Sequence, residues 1–186
     1  MKKVIFVLSF LSLATLTAQS DWKADGAHSK VGFAITHLMI SEVEGHFGEF
    51  DISATADEAF SNPDFSVEIK TASIDTYNDR RNGHLKSDDF FAAETHPTII
   101  FKTTGYEKTG EKTFNLTGDL TMHGVTKEVT LNGRLNGIIT DQRSQKLKAG
   151  LKLTGTINRK DFGVGSKPFP VGDDVDMTIH LEMAQQ

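Results

Sequence analysis

The sequence predicts an all-β fold with a short helical insert, arranged as an eight-stranded antiparallel β-barrel with an apolar interior. Three observations predict it. Apolar and polar residues alternate with a period of two in about eight runs, giving each strand one greasy and one wet face, as in antiparallel sheets. Sheets with a single apolar face bury it in a sandwich or by closing into a barrel. Glycines at 32, 48, 118, 133 and 155 fall within the runs, where they let strands coil around barrel corners. At eight strands a closed barrel has an interior that side chains just fill, or that holds one small molecule.

The elements follow in chain order. In Lys30–His37, Val31, Phe33 and Ile35 alternate with Lys30, Gly32, Ala34 and Thr36. A second strand spans about 45–56, where Phe47 and Phe50 need a bulge to share a face. Phe65, Val67 and Ile69 mark the third strand, and 98–103 the fourth. Phe114, Leu116, Leu120 and Met122 share a face with Gly118; Val125, Val129, Leu131 and Leu135 follow, with a break around Gly133. Leu147, Ala149, Leu151, Leu153 and Ile157 oppose a lysine-rich face, and Val175, Met177, Ile179, Leu181 and Met183 form the cleanest run. Turns are expected at Lys108–Lys112 and at Asn136–Gly137. Gly118 and Gly155, on the apolar face, would leave room inside. The stretch 76–93 breaks the pattern and reads as one or two short helices, the second opened by Ser87 as N-cap with Asp88 and Asp89 in its first turn.

The first twenty residues read as a signal peptide. Lys2 and Lys3 precede a mostly apolar run from Val4 to Leu16, and small residues follow at Ala18 and Ser20. Cleavage after 18 or 20 would leave 21–186 as a single domain. The apolar run is about 13 residues, short of the roughly 20 that a spanning helix needs, so no membrane span is expected. The leader marks the chain for export, in a style that suggests a bacterium.

Composition narrows the chemistry. Twenty cations face 25 acids, a net charge of −5; without Lys2 and Lys3 the balance is 18 against 25, or −7. Such a surface argues against nucleic acid as partner, because binding phosphate backbones requires clustered cations. With no cysteine, thiol nucleophiles, disulfides and Cys-ligated metals are excluded. No G-x-S-x-G elbow, H-E-x-x-H or P-loop occurs. His28, His37 and His46 recur at intervals of nine, but no local ligand pair accompanies them, so no metal or other cofactor is expected. His37 continues the inward set of Val31, Phe33 and Ile35; it would meet a ligand's head group or cap the core through a backbone hydrogen bond. Arg81 with His84, in the insert, forms a second polar point or a solvated surface.

Several motifs carry a resemblance. Asp25-x-x-His28-Ser29-x-Val31-x-Phe33 and Gly45-His46-Phe47 open it, and Ser73-Ile74-Asp75-Thr76 and Arg81-x-x-His84-Leu85-x-Ser87-x-Asp89-Phe90-Phe91 form its centre. Pro97-x-Ile99-x-Phe101, Gly118-x-Leu120-Thr121-x-x-Gly124-Val125-Thr126 and Ile157-x-Arg159-x-Asp161-Phe162-Gly163 complete it. In this order the motifs resemble the YceI-like family across nearly the whole mature chain. Asn82 departs from the pattern, which usually has an acid after the arginine of the central run. The resemblance implies a lipocalin-like barrel in the periplasm that binds a polyisoprenoid or similar long amphiphile, such as a quinone. The expected function is therefore an exported binding protein for transport, storage or sequestration, not an enzyme. The expected wall is Phe33, Ile35, Leu116, Leu120, Val129, Leu131, Leu151, Leu153, Met177, Ile179 and Leu181, with His37, Arg81 and His84 as polar points. An enzyme acting on such a lipid through His37 or His84 is one alternative, and a stress-response protein with a self-filled barrel is another. An edge strand or the acidic face leaves a homodimer open.

Overall fold

The computed structural model describes residues 19–168 and 170–186, so the expected leader, residues 1–18, lies outside the described residues. Eleven strands alternate with little else: β1 (Ser20–Ala24), β2 (Lys30–His37), β3 (Ser41–Phe47), β4 (Phe50–Ala56), β5 (Asp64–Lys70), β6 (Ile74–Asp75), β7 (Thr98–Lys108), β8 (Thr113–Met122), β9 (Val125–Thr140), β10 (Leu147–Asn158) and β11 (Val171–Gln185). Among the described residues one α-helix, α1 (Asp79–Lys86), stands between β6 and β7. All pairings are antiparallel, and the ring β1-β4-β5-β7-β8-β9-β10-β11 closes back on β1. The fold is a closed eight-stranded barrel.

Eleven strands fill eight positions because three positions are broken, at β1/β2, at β3/β4 and, across Thr71–Ser73, at β5/β6. β1 and β2 both pair with β11, Ala24 opposite Met183 and Lys30 opposite His180. Across the gap, the Asp25 N–H donates to the Glu182 carbonyl (2.8 Å) and the Glu182 N–H donates to Ser29 Oγ (3.1 Å). β3 and β4 break in the same way at Gly48–Glu49, where the Gly48 N–H turns out to the Ser73 carbonyl (3.1 Å). The bulge expected between Phe47 and Phe50 is thus a full strand break. The sequence reading also passed over β1 and the two-residue β6.

Other expectations are corrected. Asn136–Gly137 is not a turn: β9 runs through it, Gly137 pairs with Gly150, and a bulge at Gly150/Leu151 absorbs the irregularity. The reversal comes at Asp141–Lys146, where the Asp141 carboxylate accepts from the amides of Arg143 and Ser144. Ser87 opens no second helix. It caps the C-terminus of α1, its hydroxyl donating to the His84 carbonyl (2.7 Å), while Asn78 is the N-cap and accepts from the Arg81 amide (3.0 Å). Gly118 does not leave a void. The ring of Phe101 lies over it, 2.3 Å from where a Cβ would stand, and Leu131 closes over Gly155.

One end of the barrel is plugged. Trp22 and Met183 are fully buried there with Ala149, and the Trp22 indole donates to the Ala56 carbonyl (3.3 Å). Phe60, from the β4–β5 loop, meets the Trp22 ring edge-on at 5.0 Å between centroids.

Candidate functional site

The opposite half of the barrel is hollow. A cavity of about 480 Å³ runs from the middle of the strands toward the end covered by α1, the segment 87–96 and the segment 159–168. Its size falls within the range of small-molecule sites. Its wall follows from the strand period: alternate residues of β2, β8, β9, β10 and β11 turn inward, and those that border the cavity are mostly Val, Ile, Leu, Met and Phe. The barrel is therefore not filled by its own side chains.

Thirteen of the fourteen residues singled out in the sequence border this cavity: Phe33, Ile35, His37, Arg81, His84, Leu116, Leu120, Val129, Leu131, Leu153, Met177, Ile179 and Leu181. Leu151 does not. It lies toward the plugged end, 1% exposed and opposite Leu135 and Leu181 in the register. Sequence reasoning passed over Phe47, Leu85, Phe90, Phe91 and Arg159, which also line the hollow. Phe90 and Phe91 belong to the pattern-breaking insert, where no strand period marks an inward face. Phe91 meets Phe47 edge-on at 6.1 Å.

Five of the lining residues carry polar side chains: His37, Thr76, Arg81, His84 and Arg159. None of the described lining residues is a carboxylate. Arg81 is held by Thr76, its Nε donating to the hydroxyl (2.8 Å) and its Nη2 to the carbonyl (2.6 Å). The Thr76 hydroxyl in turn donates to Asn82 Oδ1 (2.7 Å), which also accepts from the Thr76 amide (2.8 Å). Asn82 Nδ2 donates to Asp75 (2.8 Å). An amide thus does what no carboxylate could do at residue 82, accepting from Thr76 while donating to Asp75. The Tyr77 amide and Asn82 together hold the Asp75 carboxyl below its ordinary range.

Arg159 is buried and anchors the covering segment. Its Nε donates to the Gly172 carbonyl (2.8 Å), its Nη1 to the carbonyls of Val164 (2.9 Å) and Gly165, and its Nη2 to Asp173 (3.1 Å). Gly165, in the left-handed region at φ 61°, lies against both Phe90 and Arg159. Lys167 reaches across to Asp89 and ties the two covering segments together; this bond, ahead of the Lys167 charge and His84, keeps the Asp89 carboxyl below its usual range. His84 sits beside Asp89 (3.4 Å) and edge-on to Phe90 (5.0 Å).

The three evenly spaced histidines do not converge. His28 pairs with Asp25 (2.9 Å), His37 is at the cavity rim, and His46 stacks on Tyr77 at 5.7 Å. Among the described residues, Asp25, His28 and Glu182 bring three donor atoms within 4.8 Å of one another at the β1–β2 break. Glu182 is already bound by Lys148 (2.8 Å).

Comparison with known proteins gives a consistent set of relatives. The model of the YceI-like domain matches residues 22–183. Protein YceI of Escherichia coli O6:H1 is 38% identical over 192 residues, covering all of both chains. The crystal structure of a Campylobacter jejuni YCEI protein superposes with a TM-score of 0.76 at 35% identity, covering 87% of this chain and 96% of that one. A polyisoprenoid binding domain from Saccharophagus degradans shares the fold at 17% identity, with a TM-score of 0.64 over 89% of this chain and 98% of that one.

Proposed function

Since the chain belongs to the YceI-like family, we propose that it is an exported binding protein that holds a polyisoprenoid or a similar long amphiphile, such as an isoprenoid quinone. The observation that carries this reading is the apolar hollow of about 480 Å³ in one half of a barrel otherwise closed by Trp22 and Phe60. The polyisoprenoid-binding neighbour supports the ligand class, and the leader-like first twenty residues support export to the periplasm. Transport, storage or sequestration, rather than catalysis, is the role that fits.

The physics of such a site is mostly burial. Each CH₂ moved out of water contributes ~0.8 kcal/mol, so a five-carbon isoprene unit contributes roughly 3–4 kcal/mol before ordering costs. Three or four buried units give about micromolar affinity without a charged anchor. The polar residues gather at the covered end, where Arg81, His84 and His37 offer donors to an acceptor head group such as a quinone carbonyl or a phosphate. Titrating the delipidated protein with prenyl alcohols and quinones of increasing chain length tests the reading. Affinity should climb with each added unit and level off once the hollow is full; affinity independent of chain length would refute it.

A further inference from the structure

The β2–β3 hairpin ends in three consecutive apolar residues. Leu38, Met39 and Ile40 are 55%, 84% and 84% exposed. The Ile40 N–H closes the turn on the His37 carbonyl (3.2 Å), and the Leu38 N–H fixes it to the Pro170 carbonyl (2.9 Å). Leu38 and Met39 lie at φ 51° and 59°, where tight hairpins favour Asn and Gly and bulky side chains are disfavoured. Neither burial nor turn chemistry therefore accounts for these side chains. Their position does: Ile35 and His37 on one arm, Val43 on the other, and the adjoining Pro170 and Val171 all line the cavity. The tip carries the rim of the hollow out into solvent.

We infer that this tip inserts into the headgroup–acyl boundary of an electrically neutral lipid bilayer and docks the mouth of the cavity on it. The inference rests on the proposed lipid ligand for its purpose, since a ligand leaving the bilayer would then enter the barrel without crossing water. Size selects the bilayer over a second copy of the chain. A stable protein interface takes about 800 Å² and roughly 20–30 residues a side, whereas the tip offers three side chains. Reversible attachment to a membrane needs only a few apolar groups at the boundary. Charge selects neutral lipid. Glu42 and Glu44 are exposed on β3 next to the tip, and the chain's net charge of −5 is repelled by anionic headgroups.

The test compares the wild-type protein with a variant carrying Leu38→Asn, Met39→Gly and Ile40→Ser, which removes the apolar tip while supplying the residues that the turn geometry favours. Wild type should sediment with phosphatidylcholine vesicles and less with vesicles containing phosphatidylglycerol. The variant should lose about tenfold or more of that binding while taking up prenyl lipid from detergent micelles as well as wild type does. In a separate Met39→Trp protein, emission should shift to the blue on phosphatidylcholine vesicles and be quenched by brominated lipid. No sedimentation of wild type, undiminished sedimentation of the variant, or a wild-type dimer that the variant abolishes would overturn the inference. Tip-dependent vesicle binding by a protein that takes up no prenyl lipid would uphold the docking and refute the ligand.

Discussion

Replacing Leu151 or Leu153 by Trp distinguishes packed from hollow interior on a single strand face. Both leucines point inward from β10, two residues apart, at 1% and 3% exposure, but only Leu153 borders the cavity. A larger side chain forced into a close-packed site costs typically ~1–3 kcal/mol through strained rotamers and backbone shifts. Leu151→Trp should incur at least that. At Leu153 the added ring enters about 480 Å³ of free space, and a penalty below ~1 kcal/mol is expected because nothing must move aside. Urea unfolding of the two variants and wild type measures the difference. The same ring displaces ligand: losing room for one isoprene unit removes roughly 3–4 kcal/mol of burial, which weakens binding by two to three orders of magnitude. Equal destabilisation at the two positions would refute the hollow interior. Undiminished prenyl-lipid affinity in Leu153→Trp would refute its use.

Three further outcomes are expected. Arg159→Met leaves the carbonyls of Val164, Gly165 and Gly172 without their donor; it should cost more than ~3 kcal/mol in denaturant unfolding and raise amide exchange across 159–172. Asn82→Asp sets a carboxylate against Asp75, now 2.8 Å from the Asn82 amide nitrogen. The variant should be less stable than wild type at neutral pH, and thermal melts near about pH 4 should show the deficit shrinking as the carboxyls protonate. The hydrogen bond between Asp25 and His28 raises the imidazole above its ordinary 6.5 and lowers the carboxyl below 3.8. The pair's contribution is therefore largest between those values. It is lost as pH rises through the raised histidine value and as pH falls through the lowered aspartate value. NMR titration should place the His28 midpoint above 6.5 and return it toward that value in Asp25→Asn.

The fold was largely legible because a period of two over long runs admits few arrangements. Runs such as Val175 to Met183 state their inward face without tertiary help. Legibility failed where the chain departs from regular pairing. β1 is five residues long and gains its stability from the burial of Trp22 against Phe60, a contact 38 residues away in the chain. Asn136–Gly137 has the composition of a turn, yet its neighbours on β10 keep it in the ladder through a bulge. The cavity wall followed from the strand pattern except at Leu151. Periodicity says which side chains point inward, not how far along the barrel the packing stops. Arg159 and the aromatics of the insert were out of reach for a different reason. Their inward orientation depends on segments 87–96 and 159–168 folding over the barrel end, and the only advance signals were the spacing of Arg159 from Asp161-Phe162-Gly163 and the paired Phe90-Phe91.

Mass measurement of the intact, non-denatured protein purified from its own host tests the central claim most directly. The account predicts a chain heavier than its polypeptide by one prenyl lipid or quinone, which organic extraction removes and readdition restores. A bare polypeptide mass that added prenyl lipid leaves unchanged would contradict it.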